Sequence, residues 1–451
     1  MMGNDTAKTV FRNAAILYAA AVLLFLAFAI PGLIDPELLM RIDSGTYLGP
    51  ARSLLETGAY KSSPEAASST GLRVPLYPCL LAFSLFIGSG SLRFCIVMNV
   101  LFSALSVPVL YLAARKYSGK EFPAICAAVL LMLMPTVIAF APMFLSEGLF
   151  VTWVVFSIYF LLRYADGKRR SDLLLTALAA GAGALTRPLN ILWIFPCLFV
   201  IFFIPGLCWK KALNDGIFAL LVFLCIVLPW IFRNKSIGSG WRIDEVSADS
   251  LRHNAAVVES RVNGIPAQYY RDHYEAVFRD EFKDKSKYPN RDACLTFEEK
   301  HLGGILMSHK TVYFTMIFNP LKLFPDVPTF LENLGLTTGN QGTWDVIVKD
   351  GLIAGIRHYF RGKMYLPFLL FPLILLQFAV YCGAFCGLIR EIYRKKWFIP
   401  LCFCLFSVYY LAVTGPVSYP RFQLPAMPFL CIMAADFFCG IMKNTSKEKQ
   451  K

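Results

Sequence analysis

The sequence predicts an α-helical polytopic membrane protein with about ten transmembrane helices and a mixed, mainly helical extracytoplasmic domain. Of its 451 residues, 57% are hydrophobic and only 16% are charged, whereas soluble domains carry about 25% charged residues. The charges are also unevenly placed, because residues 233–363 alone contain 18 basic and 16 acidic residues. Most of the chain therefore has too few polar side chains to face water.

Each predicted transmembrane helix is an apolar run close to the length that a bilayer requires, about 20 residues. The ten runs are 13–32, 91–114, 122–141, 147–163, 171–186, 189–207, 215–232, 364–389, 398–414 and 424–442. The apolar run Val74–Gly88 is shorter and contains two prolines. We interpret it as a helix that lies at the membrane interface.

Lys and Arg accumulate in every second loop, at 115–120, 163–170, 210–211 and 390–396, and in the tail after 443. Because such loops stay in the cytoplasm, both termini are predicted to be cytoplasmic in a multi-pass plasma (inner) membrane protein. The predicted organisation is an N-terminal module, 1–232, with a first outer loop at 33–90, an extracytoplasmic segment, 233–363, and C-terminal helices with a basic tail, 364–451. The net charge of +14 follows from this topology and does not indicate nucleic-acid binding.

Two carboxylates stand at the start of helices on the predicted outer face. Asp43 precedes a helical pattern that includes Tyr47 and Ala51 and ends at Gly58. It is either a helix cap or a functional group. Glu147 opens the fourth span, where a carboxylate also complements the positive end of a helix. The spacing alone leaves both interpretations open.

Four arginines fall at the same outer boundary, each near a proline: Arg73, Arg187, Arg233 and Arg421. A single arginine at a boundary commonly extends toward lipid headgroups. Four of them beside two carboxylates instead favour a binding site for an anion.

The short motifs that contain these residues are Asp43-Ser44-x-x-Tyr47, Arg73-Val74-Pro75-Leu76-Tyr77-Pro78, Ser146-Glu147, Leu185-Thr186-Arg187-Pro188, Pro229-Trp230-x-x-Arg233-Asn234 and Tyr419-Pro420-Arg421. In this order relative to the spans, the sequence resembles the polytopic lipid-phosphate-sugar glycosyltransferases of the GT-C class. That class includes the protein O-mannosyltransferases and the lipid A aminoarabinose transferase. The resemblance implies a polyprenyl- or dolichyl-phosphate sugar donor, a lipid, glycan or protein acceptor, and transfer with inversion on the outer face, among membrane lipids.

The resemblance also implies roles for individual residues. Asp43 corresponds to the catalytic aspartate of the first loop and Glu147 to the second acidic residue. Arg73, Arg187, Arg233 and Arg421, with Tyr47 and Tyr77, are the implied substrate-binding residues. Many members have Asp-Glu in the first loop where this chain has Asp43-Ser44. No metal ligands are assigned for this reason, although a divalent metal cofactor stays open.

Two other interpretations of the function stay open from the sequence. A flippase or transporter for lipid-linked glycans would need ionisable groups along a path near the bilayer midplane, and an outer-face glycan polymerase or ligase would share the lipid-phosphate leaving group. Aromatic residues recur at helical spacing within the large segment and predict a helix with a buried aromatic face: Tyr269, Tyr270, Tyr274, Phe278 and Phe282. A loop at 335–349 is predicted to cover the cleft and select the acceptor.

Overall fold

The computed structural model describes residues 4–336, 343–396 and 398–448. Within these ranges every regular element is a helix, and the one β-type contact is an isolated bridge between Lys61 and Ser69. The predicted helical fold is confirmed. Part of the predicted acceptor loop, residues 337–342, lies outside the described residues, and 343–349 belong to a helix.

The N-terminal 236 residues form α1 (Asn4–Ile34), α2 (Ser44–Thr57), α3 (Leu76–Ile87), α4 (Leu92–Ala104), α5 (Ser106–Ser118), α6 (Glu121–Leu133), α7 (Pro135–Phe140), α8 (Glu147–Gly167), α9 (Arg170–Ala184), α10 (Ile194–Phe203) and α11 (Trp209–Ser236). The large segment contains α12 (Val246–Asn263), α13 (Ala267–Glu281), α14 (Arg291–Ser308), α15 (Lys310–Ile317), α16 (Val327–Asn333), α17 (Thr343–Asp350) and α18 (Leu352–Tyr359). The last helices are α19 (Tyr365–Tyr393), α20 (Phe398–Ala412) and α21 (Met427–Glu448). Short 3₁₀ turns occupy Pro36–Leu39, Pro188–Trp193, Pro320–Leu323 and Pro420–Ala426.

Among the described residues, six helices are long and apolar enough to cross a bilayer: Ala7–Ile34, Leu92–Ser118, Glu147–Gly167, Trp209–Ser236, Tyr365–Tyr393 and Pro420–Met442. The other four predicted spans fold as shorter helices, α6 with α7, α9, α10 and α20. Prolines account for part of the shortening, since the chain becomes extended at Met134 before Pro135 and at Arg187 before Pro188, as expected for residues that precede proline. The run Val74–Gly88 forms a helix, α3, and its position at the membrane interface stays a prediction.

Contacts between the loops group them at two ends of the bundle. One end, called here the basic end, gathers the Lys- and Arg-rich short loops, where Lys116 pairs with Asp166 and Arg390 with Asp436. The other end, called here the site end, carries the first long loop (33–90) and the motif arginines.

Glycines let two long helices approach closely. A Cβ placed at Gly387 of α19 would lie 2.9 Å from the Met433 carbonyl oxygen of α21, and one at Gly383 would lie 2.5 Å from the Phe438 ring. Small residues four apart are a common means of helix contact in membranes. This contact fixes α21, and with it the turn that carries Arg421.

The large segment has a small core of its own. Tyr270, Tyr274 and Phe278 of α13 are buried there with residues of α12 and α14, so the predicted aromatic face is confirmed for these three residues. Phe282 packs against this core, but Tyr269 is 57% exposed, so its predicted place on the buried face is wrong: it lies one residue, about 100° around the helix, from Tyr270.

Replacing Gly387 with leucine is expected to destabilise the protein by about 1–3 kcal/mol, because the new side chain meets backbone that cannot rotate away. Thermal unfolding of the purified protein in detergent measures this. Gly303→Leu is the matched control, since Gly303 is also helical but a Cβ placed there would meet no neighbouring segment within 4 Å. Equal melting temperatures for both variants would contradict the close-packing argument.

Candidate active site

Asp43 stands immediately before α2 but does not cap it, because its side chain makes no cap hydrogen bond. Its Oδ1 instead accepts a hydrogen bond from Arg73 Nη2 at 2.9 Å. Its Oδ2 accepts from Nη1 and Nη2 of Arg421, both at 3.3 Å. The capping interpretation is therefore wrong, and the carboxylate is held by two guanidinium groups from distant parts of the chain.

Glu147, the first residue of α8, is buried with 3% exposure. Its Oε1 lies 2.6 Å from Arg187 Nη1 and 3.6 Å from Arg421 Nη1. Among the described residues these contacts are ion pairs, and neither carboxylate oxygen has a hydrogen bond of regular geometry. Arg421 therefore bridges the two carboxylates, so Asp43, Glu147 and three arginines form one cluster, called here the ionic cluster.

Short polar contacts fix the direction of two of these arginines. Arg73 Nε donates to Thr46 Oγ1 at 2.8 Å, and the guanidinium lies over the Tyr47 ring, 4.6 Å from its centroid. Arg187 Nη1 lies 3.4 Å from Ser146 Oγ. The cluster is thus oriented before any ligand binds.

The two predicted substrate-binding tyrosines have different surroundings. Tyr47 lies under Arg73, and its hydroxyl is 3.2 Å from Ser146 Oγ. Tyr77 is buried and packs edge-on against Tyr47, with the ring centroids 5.1 Å apart. The Tyr77 hydroxyl donates to the Met143 carbonyl at 3.2 Å, so this side chain supports the loop before Glu147 from below.

Arg233 does not join the ionic cluster. Its guanidinium donates to the carbonyls of Thr70, at 2.5 Å, and Tyr60, at 3.1 Å, and stacks on the Trp230 ring at 4.6 Å. It holds the loop that leads into Arg73, and its predicted contact with substrate stays a prediction.

The cluster carries a net positive charge, because three guanidinium groups surround two carboxylates. Burial raises the pKa of Asp43, but the nearby guanidinium groups of Arg73, Arg421 and Arg187 outweigh it, so the pKa lies below its ordinary value. Asp43 is therefore a carboxylate at neutral pH. The cavity beside Glu147, Arg187 and Arg421 measures about 10 Å³, enough for about one water molecule.

Two buried ionisable residues near the site were not predicted. Lys322 lies in the large segment, and its Nζ donates to the carbonyls of Ile317, Leu411 and Gly415 and to Thr414 Oγ1, at 2.6 to 3.0 Å. Thr414 lines the small cavity of the cluster. Burial lowers the pKa of Lys322 to about 8. A single lysine within an otherwise apolar stretch is the signal that could have marked it.

The second is Asp244, which is buried after α11 and accepts a hydrogen bond from Ser247 Oγ at 2.7 Å. Burial raises its pKa to about 6, although the positive charge of Arg73 acts in the opposite direction. No sequence pattern distinguishes this aspartate from the other acids of the large segment.

The cluster does not fit a divalent metal ion. Mg²⁺ and Ca²⁺ take at least six oxygen ligands, whereas the two carboxylates here already face guanidinium groups. Across the described part of the chain, no group of three or more His, Cys, Asp or Glu side chains is placed to hold a metal. No step of the reaction is therefore assigned to a metal.

Comparison with known proteins identifies the fold. The family described as dolichyl-phosphate-mannose-protein mannosyltransferase matches residues 72–232, a range that contains Arg73, Glu147 and Arg187. The oligosaccharyltransferase AglB from Archaeoglobus fulgidus, solved with an inhibitory peptide and a dolichol-phosphate, aligns over 97% of this chain with a TM-score of 0.53 and 11% identity. The chain has a GT-C fold.

This chain spans 51% of the length of AglB, both in that complex and in the apo form, for which the TM-score is 0.52. ArnT from Cupriavidus metallidurans, bound to undecaprenyl phosphate, aligns over 92% of this chain and 76% of its own length, with 15% identity and a TM-score of 0.42. Among curated proteins, none matches the sequence.

Asp244 is expected to make stability depend on pH. The folded state binds its proton more tightly than the unfolded chain, where the pKa is about 3.9. The wild type should therefore lose up to about 3 kcal/mol of stability, relative to Asp244→Asn, as the pH rises from about 4 through 6. Melting temperatures at pH 4 and pH 7.5 measure this difference.

The matched control for this test is Asp249→Asn, on α12, where the side chain is 53% exposed. It should follow the wild type at both pH values. If the curves of wild type and Asp244→Asn stay parallel, the buried carboxyl does not titrate in this range.

Proposed function

We propose that the protein is a membrane glycosyltransferase that moves a sugar from a polyprenyl-phosphate donor to an acceptor hydroxyl, on the extracytoplasmic face and with inversion. The observation that carries this proposal is the ionic cluster, in which three arginines meet two carboxylates at the site end of the bundle. The matched mannosyltransferase family and the dolichol-phosphate bound to AglB support the choice of donor.

Arg73 and Arg421 are the proposed phosphate ligands. The cluster has one positive charge in excess, which the single negative charge of a phosphodiester donor would neutralise. The leaving phosphate gains a further negative charge as the bond to the sugar breaks. Preoriented donors at such a position commonly lower the barrier by about 3–4 kcal/mol each, and the planar guanidinium can contact two phosphate oxygens at once.

Asp43 is the proposed base. While it is paired with Arg73 and Arg421 its pKa is low, so it is a weak proton acceptor. A donor phosphate that draws these arginines away would raise that pKa and make the carboxylate a stronger base. The acceptor oxygen then attacks the anomeric carbon, its proton passes to Asp43, and the polyprenyl phosphate leaves from the opposite side, which inverts the configuration.

Glu147 is proposed to position the arginines rather than to contact the sugar. It is almost fully buried, and its Oε1 faces both Arg187 and Arg421. A buried carboxylate requires paired charge, so Glu147 holds the two guanidinium groups at a fixed separation. Arg187 faces the same Glu147 oxygen as Arg421. Its positive charge therefore adds to that of the phosphate site.

A flippase or transporter is the alternative from another class, and a polymerase or ligase would use the same leaving group. Asp436, an acidic residue inside a predicted span, pairs with Arg390 at the basic end, which accounts for its charge without a transport path. Purified protein given polyprenyl-phosphate sugars separates these functions. Hydrolysis or transfer supports the enzyme, whereas lipid scrambling without bond cleavage contradicts it.

Asp43→Asn should reduce sugar transfer by about 10²–10⁴-fold, because the amide cannot accept the proton. The measurement is turnover of undecaprenyl- and dolichyl-phosphate-linked hexoses and pentoses by purified protein. Asp35→Asn is the matched control, an exposed aspartate of the same loop that caps the turn at Pro36. Normal transfer by Asp43→Asn would exclude it as the base.

Arg73→Lys and Arg421→Lys should each lower turnover by about 10²–10³-fold, since a lysine keeps the charge but cannot contact two groups in one plane. Arg52→Lys, at an exposed position on α2, should leave turnover unchanged. The phosphate assignment is wrong if both cluster variants turn over at the rate of the Arg52 control.

A further inference from the structure

A second cavity lies at the basic end of the bundle and shares no lining residue with the ionic cluster. It measures about 770 Å³ and lies between the ends of α5, α8 and α10 and the first turns of α20. Its volume is in the range of small-molecule sites. The proposed transfer reaction does not use this space.

The inner wall of this cavity is apolar. Ile158 and Leu162 of α8 face it, with Phe403 and Phe406 of α20. The lining extends along α20 from Phe398 to Phe406, a helical rise of about 12 Å. A free inorganic anion gains nothing from such a wall, whereas a hydrocarbon chain is stabilised by it.

The mouth of the cavity is cationic, and each of the three carboxylates that line it is paired with a basic side chain. Asp166 pairs with Lys116, Asp436 with Arg390, and Glu391 with both Arg390 and Arg394. The lining lysines that remain are Lys120, Lys395 and Lys396. All three are exposed, and in the described ranges none of them forms an ion pair.

We propose that this cavity binds an anionic phospholipid of the adjoining leaflet, with its phosphate on Lys120, Lys395 and Lys396 and an acyl chain along the apolar wall. Charge complementarity favours an anionic headgroup, because the three lysines that form no ion pair in the described ranges would surround one phosphate. The apolar wall of the cavity favours a lipid over a soluble phosphate, because only the lipid has a hydrocarbon chain to place against it. The lipid would join α20 to α8, two helices whose other ends contribute to the site end.

The test measures lipid retained by the purified full-length protein. The protein is reconstituted with phosphatidylcholine and phosphatidylglycerol in equal amounts, extracted again with mild detergent, and analysed by native mass spectrometry. Phosphatidylglycerol should be retained at least about 10-fold over phosphatidylcholine, since each lysine near a phosphate contributes to binding. Equal retention of the two lipids would overturn the proposal.

Three variants locate the binding. The triple variant Lys120→Gln, Lys395→Gln and Lys396→Gln should lose this preference. The control triple, Lys8→Gln, Lys210→Gln and Lys211→Gln, removes the same charge from basic residues that do not line the cavity, and should keep it. Ala165→Trp, which fills the apolar wall but leaves the lysines intact, should also reduce retention.

Other outcomes count against the proposal. Loss of retention in the control triple would show general attraction between charged surfaces, and full retention by Ala165→Trp would show that no chain enters the cavity. Undecaprenyl phosphate, added at the same mole fraction as phosphatidylglycerol, distinguishes the lipid source: if it displaces phosphatidylglycerol from the wild type, the phospholipid assignment is wrong. Sugar transfer is not the readout, so this result is independent of the proposed enzyme activity.

Discussion

The bridge that Arg421 forms between Asp43 and Glu147 is the interaction on which the site depends. A carboxylate as deeply buried as Glu147 is unstable in the charged state unless cations compensate for the water it has lost. Arg187 supplies one such cation and Arg421 the second. Because Arg421 also binds Asp43, the position of the more exposed carboxylate is set by the charge requirement of the buried one.

Proline turns deliver the three arginines to this point. Arg73 stands two residues before Pro75, Arg187 directly before Pro188, and Arg421 directly after Pro420. Residues before proline adopt extended conformations, and Arg187 does so with φ −143° and ψ 125°. None of these three arginines lies within an α-helix. Each side chain can therefore extend from its turn to another segment of the chain. The long helices behind the turns hold these segments at fixed separations.

Much of this arrangement could be predicted, because apolar length and loop charge determine which residues reach the same end of the bundle. That reasoning predicted that Asp43, Glu147 and Arg421 lie at the same end of the bundle. It did not show that the Asp43 side chain would bind arginines instead of capping α2. It also could not show that Arg233 lies outside the ionic cluster. The guanidinium of Arg233 is instead hydrogen-bonded to backbone carbonyls. Lys322 was missed for a related reason, since its burial comes from the packing of the large segment against the end of α20 and the residues that follow it, which no local pattern specifies.

The order of the chain has a consequence for biosynthesis. Asp43 and its partner Arg421 are separated by 378 positions, so the pair cannot form until the ribosome has added all of those residues after Asp43. A nascent chain still lacking that arginine would hold the first aspartate and the buried glutamate with one cation fewer. The ionic cluster is therefore incomplete until translation has passed Arg421.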